Sequence, residues 1–151
     1  MLPRMNRTAL ALIFSVLGLC PAANAAGKTT KRTIPCKTPA IANSCYWAHG
    51  RLGVSNGSPA VRLWKIGTKR ILGIYSGPSS YRGPWRNTGP LFDDENPQLP
   101  SNVSKIFETT MQGGFPALIF ADFEICPLEP VKPGVMQAAC IESAKNIVVE
   151  K

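Results

Sequence analysis

Acidic residues are scarce in this chain and histidine is almost missing. Nine Asp and Glu stand against 17 Lys and Arg in 151 residues, with one histidine. A single histidine excludes a multi-histidine metal centre, and leaves His49 as the one side chain whose ordinary pKa lies near neutrality. The cysteines lack the paired C-x-x-C spacing of zinc knuckles, so no metal is expected. No cofactor motif is present and none is predicted. After residue 25 no apolar run approaches the roughly 20 residues that a membrane-crossing helix needs. A serine nucleophile elbow is not expected either.

What is present begins with an address. Arg4 and Arg7 form a short basic region, an apolar run follows from Ala9 to Leu19, and Ala23-Asn24-Ala25 supplies small residues at a cleavage site. This three-part pattern predicts a signal peptide over residues 1–25 and an exported protein, periplasmic or secreted. Cys20 offers a lipid-anchored alternative, but a lipoprotein site wants a small residue before the cysteine and Leu19 is bulky. Cleavage after Ala25 is therefore preferred; losing Arg4 and Arg7 lowers the formal charge from +8 to +6. The even set Cys36, Cys45, Cys126 and Cys140 remains, and in an oxidising compartment it predicts two disulfides.

Residues 26–35 read as a flexible basic lead-in and residues 36–151 as one disulfide-stabilised domain. Charge is unevenly spread, because all nine acids lie after Phe92. A β-rich block runs from Cys45 to Tyr75, and residues 76–100 are dense in Gly, Pro, Ser and Asn. So long a connection is either functional or mobile. Ser101 to Met111 reads as a short helix opened by Ser101, although Val103, Ile106 and Phe107 would also suit a strand. Strands are expected around Ala117–Ile125 and Met136–Ser143, with a last apolar run at Ile147–Val149.

Turns set the register. With Asn56-Gly57 as a two-residue hairpin turn, Leu52 faces Val61 and Gly50 faces Leu63. With Gly67-Thr68 as the next turn, Leu63 faces Leu72 and Val61 faces Ile74. One face is then wholly aliphatic, which a one-residue slip would scatter. Pro133-Gly134 suits the centre of a type II turn; it sets Cys126 opposite Cys140, Ile125 opposite Ile141 and Glu124 opposite Glu142. A Cys126–Cys140 disulfide is preferred on that geometry, leaving Cys36–Cys45. The fold class expected is mainly β: a small antiparallel barrel or compact sandwich built from hairpins, with room for one short helix.

The other face of the first hairpins gathers Trp47, His49, Arg51, Arg62 and Trp64. In the expected register His49 faces Trp64 and Arg51 faces Arg62, beside a Gly73 that leaves room for close approach. Like charges opposite one another need a neutralising group. Either Asp122, Glu124 and Glu142 meet the arginines inside the fold, or the face is an open platform for an anion, with indoles for stacking and guanidinium forks for phosphate, sulfate or carboxylate. Asp93-Asp94-Glu95-Asn96 lacks the spacing of a calcium loop and reads as a solvated tip.

The string His49-Gly50-Arg51-Leu52, Asn56-Gly57, Arg62-Leu63-Trp64, Gly67-Thr68, Arg70, Leu72-Gly73 is followed by Phe123 to Pro127 and by Cys140 to Asn146. It resembles a group of small exported bacterial proteins to which no activity is assigned. The resemblance implies a bacterial cell-envelope setting and carries over no functional residue. The expected function is a non-enzymatic envelope domain contacting an anionic envelope component or an acidic protein surface; export argues against nucleic acid. Two alternatives stand beside it. One is a small secreted hydrolase using His49 with Asp122 or Glu124 under the 76–100 loop. The other is a purely structural envelope protein.

Overall fold

The computed structural model describes residues 32–83, 96–111 and 117–150. The expected signal peptide and Cys20 lie outside the described residues, as do Asp93, Asp94 and Glu95. Among the described residues five strands form: β1 (Tyr46–Val54), β2 (Val61–Lys65), β3 (Ile71–Ile74), β4 (Leu118–Pro127) and β5 (Gln137–Glu150). One helix, α1 (Ser101–Met111), lies between β3 and β4, and a 3-10 turn at Ala42–Ser44 precedes β1. The strands close into a barrel in the order β1-β2-β3-β5-β4, with β3 parallel to β5 and every other pair antiparallel. Five strands in this order, with a helix after the third, make an OB-fold arrangement. Among the described residues no helix is long and apolar enough to cross a membrane.

Alternation along the strands builds the core. Leu52, Val61, Leu63, Leu72 and Ile74, the aliphatic face read from the turns, are all buried. They meet Ile119, Phe123, Ile125 and Ile141 from the last hairpin. Helix α1 adds Val103 and Phe107 at helical spacing, with Leu99 just before it. Its first turn is closed by the Pro100 carbonyl, which accepts the N–H groups of Val103 and Ser104. Within the barrel, an added Cβ on Gly50 would stand 2.6 Å from Leu63 Cδ1, so the missing side chain leaves Leu63 its space.

Two registers differ from expectation. The second hairpin is as read, with Leu63 opposite Leu72 and Trp64 opposite Ile71. The first is displaced by two residues, with Leu52 opposite Leu63, Arg51 opposite Trp64 and Gly53 opposite Arg62. Asn56-Gly57 is not a two-residue turn. The Ser55 N–H donates to the Ala60 carbonyl at 2.8 Å, enclosing a longer loop that contains a cis Ser58-Pro59 bond. A slip of two keeps every side chain on its own face, so the core survives while the outer neighbours change. In the last hairpin Cys126 faces Cys140 and Ile125 faces Ile141, but an irregularity between Glu124 and Ile125 puts Glu124 opposite Ser143. The expected Glu124–Glu142 pairing is thereby avoided.

The disulfides also differ from the preferred pairing. They are Cys36–Cys140 and Cys45–Cys126. Cys126 and Cys140 do face each other, but the segment from Cys36 to Cys45 delivers one sulfur to each strand. The cystines then form a small buried cluster with Ile41 and Leu128 packed against it. These bonds span 104 and 81 residues, and in the chain-entropy account closing loops of that length stabilises by about 4–5 kcal/mol for each bond taken alone. Of the lead-in expected over 26–35, the described residues 32–35 lie against the barrel. Arg32 donates to the carbonyls of Ile34, Ser76 and Ile141, and the Gln98 side-chain oxygen accepts the N–H groups of Thr33 and Ile34. The base of the 76–100 connection is fastened there too, through Gln98 N–H to Ser76 Oγ at 2.8 Å.

Candidate functional site

Trp47, His49 and Arg51 alternate along β1 and Arg62 and Trp64 along β2, so barrel closure turns all five outward. Trp47 and Trp64 remain 47% and 38% exposed, which puts both indoles within reach of a ligand. The two-residue slip then decides the pairs. Arg51 meets Trp64 instead of Arg62, with its guanidinium carbon 5.0 Å from the ring centroid. An expected repulsion becomes a cation–π contact. Trp64 is steadied from its other end, where Nε1 donates to the Thr68 carbonyl at 2.8 Å.

Arg62 is brought elsewhere. Its Nε donates to the Pro59 carbonyl at 3.0 Å and an Nη to the Asn56 carbonyl at 3.1 Å, so the guanidinium holds the β1–β2 loop. That loop also covers Gly73: an added Cβ there would lie 2.5 Å from Pro59 Cγ, with Met136 close by. The room expected for a ligand at Gly73 is filled by the protein's own proline.

The acids do not neutralise the arginines. Glu124 pairs with Lys37 at 2.6 Å and accepts the Ser143 hydroxyl at 2.8 Å, and the Lys37 contact is the main cause holding its carboxyl below the usual glutamate value. Glu142 accepts the Lys37 backbone N–H at 2.9 Å. Asp122 accepts from Asn146 at 2.7 Å and contacts His49 Nδ1 at 3.0 Å. These hydrogen bonds, Asn146 first and His49 second, lower its pKa. An ionised Asp122 only accepts, so the Nδ1 of His49 carries the proton in this contact. Among the described residues neither Arg51 nor Arg62 has a carboxylate partner in an ion pair.

The reasoning from sequence missed a member of this surface. Lys145 lies 4.2 Å from the Trp47 ring centroid, a second cation–aromatic contact on the outer face, whereas Lys65, 4.9 Å from the ring of Tyr46, and Tyr46 itself fall in step with the core-facing positions of their strands. Lys145 is placed by the β4–β5 irregularities, which set it opposite Asp122, and no spacing signal announced those. Tyr46 is raised in pKa, chiefly by burial, with Arg70 acting the other way. Ser55 does sit in a G-x-S-x-G string, Gly53 to Gly57. An elbow, however, needs a strand-to-helix turn, and here Ser55 begins a loop between antiparallel strands.

No family model, curated protein or solved structure matches the chain. The fold itself hosts many unrelated functions, so chemistry has to be argued from the surface.

Proposed function

We propose that this is an exported, non-enzymatic binding module of the cell envelope. It holds an anionic component, or an acidic face of a partner protein, across the outer surface of β1 and β2. One observation carries this reading. Arg51 and Trp64 stand stacked at the surface with no carboxylate on the guanidinium, so a fixed cation and an aromatic plane are presented together. Trp47 of β1 with Lys145 of β5, which flank β4 on either side, adds a second cation–aromatic contact, there beside the Asp122 carboxylate. Two disulfides suit an oxidising compartment, and the signal peptide expected over residues 1–25 points to the same address. An anionic ligand also fits the formal charge of +6 left once Arg4 and Arg7 are removed from a chain of +8.

The hydrolase alternative draws on the His49–Asp122 contact. That pair stands on the outer surface with the His49 side chain 53% exposed, where water is not excluded and no transition state is enclosed. Binding is therefore the better supported reading. The test is a titration of the oxidised domain with heparin, followed by the indole N–H resonances of Trp47 and Trp64. Both should shift, and Arg51→Gln should weaken binding by about three- to tenfold. Unmoved indoles, or equal affinity in Arg51→Gln, would reject this face.

A further inference from the structure

We propose that the groove between the β2–β3 turn and the β4–β5 loop docks an extended acidic–aliphatic peptide segment of a partner protein. This deepens the function above and rests on it in one respect: it names the partner whose charge the cationic surface meets. The groove encloses about 570 Å3, with Lys69 to Leu72 on one side and Val131 to Gln137 on the other. Its origin is topological. β3 and β5 pair in parallel from Leu72 and Gln137 onward. Ahead of that pair the two chains lead back to different turns, one at Gly67-Thr68 and one at Pro133-Gly134, and they separate.

Three aliphatic side chains in this groove stay near half exposed: Ile71 at 47%, Val131 at 48% and Val135 at 52%. Single exposed aliphatics are ordinary, whereas a cluster with a polar rim marks an interaction site. The rim here is cationic. Lys69, Arg70 and Lys132 are all exposed, against one carboxylate, Glu129, 3.9 Å from Lys132 and also accepting the Ala138 N–H. Three cations facing one acid leave an excess of positive charge for an acidic partner.

The aliphatic walls select the class of ligand. Bases bound as a single strand use successive aromatic planes, and sugar rings likewise favour aromatic faces. Here Trp64, the cross-strand partner of Ile71, is the aromatic side chain that adjoins. An acyl chain needs enclosure, and an open groove would leave much of it in water. An extended peptide presents alternate side chains to opposite sides. Valine- or isoleucine-like residues would then cover Ile71, Val131 and Val135, while carboxylates reach Lys69, Arg70 and Lys132.

The experiment uses fluorescein-labelled hexapeptides and the oxidised domain, read by anisotropy, with heparin binding followed in the same variants. A peptide of alternating Glu and Val should bind about tenfold tighter than one of Glu and Ser or one of Lys and Val. The double variant Ile71→Ser, Val135→Ser should lose that advantage and keep its heparin binding. Lys69→Glu with Lys132→Glu should remove peptide binding altogether. Equal binding of the Glu–Val and Glu–Ser peptides, or an unaffected double variant, overturns the proposal. So does capture of phosphatidylglycerol vesicles through Ile71 and Val135 without peptide binding, which would assign the groove to lipid. Failure of the underlying binding function reads differently, as heparin affinity indifferent to Arg51→Gln.

Discussion

The two faces of β1 and β2 are made from alternate residues of the same strands, yet they are held in different ways. Inside, Leu52, Leu63, Leu72 and Phe123 are buried to the last contact, and their energy comes from volume that no other arrangement fills. Outside, Arg51 on Trp64 and Lys145 on Trp47 are single contacts at the water boundary, each worth about 0.5–1 kcal/mol. The difference teaches that the barrel does not depend on its outer face for stability. That face is free to vary with little cost to the core.

Four measurements would break or sharpen this contrast. Phe123→Ala should destabilise the oxidised domain by about 3–5 kcal/mol in chemical denaturation; a loss as small as that of a surface variant would remove the distinction. Gly73→Val probes an outer position roofed by the chain itself. Its side chain meets Pro59, so about 1–3 kcal/mol should go as the β1–β2 loop is pushed off. If the variant is as stable as the parent, Pro59 does not pack there. Arg51→Gln should change stability by no more than about 1 kcal/mol while weakening polyanion binding, and the reverse pattern would make Arg51 structural.

The smallest effect concerns pH. Glu124 has its pKa lowered by Lys37, so its contribution is present above the usual glutamate value and lost as pH falls through the lower, folded value. The Lys37 pKa is raised by the same contact, consistent in sign, since that contribution disappears only on the alkaline side. The melting temperature of the parent should therefore fall further between about pH 5 and about pH 3 than that of Lys37→Met. Parallel curves would show that the ion pair is silent.

Much of the barrel was legible in the sequence because period-2 alternation assigns faces independently of exact register. Leu52, Val61, Leu63, Leu72 and Ile74 went to the core even though the first hairpin is displaced by two, since displacement by an even number leaves every side chain where it was. The helix was legible as one of two options, and the buried positions Val103 and Phe107 show why helical spacing prevailed. Neighbours across strands were less accessible. Asn56-Gly57 gives a strong local turn signal, but the loop closes around Ser55 and Ala60 instead, and the Arg51 partner changes with it. An irregularity beside Glu124 likewise leaves no mark in composition, yet it decides the partners of Glu124 and Lys145. Disulfide pairing was the least accessible, because four half-cystines gathered at one end of a barrel admit three pairings, and the facing positions of Cys126 and Cys140 favoured one that the structure does not contain.

The two disulfides found here are nested, one spanning 36 to 140 and the other 45 to 126. A single cut anywhere between Cys45 and Cys126 yields two fragments, the first carrying Cys36 and Cys45 and the second Cys126 and Cys140. Both bridges run from one fragment to the other. The pairing of sequence neighbours would have let such halves part. In this protein a nicked chain stays one molecule, doubly tethered across the barrel, until a reductant opens both bonds. In an oxidising compartment, of the kind that two disulfides suit, covalent connectivity of this sort keeps the barrel assembled after the backbone itself has been broken.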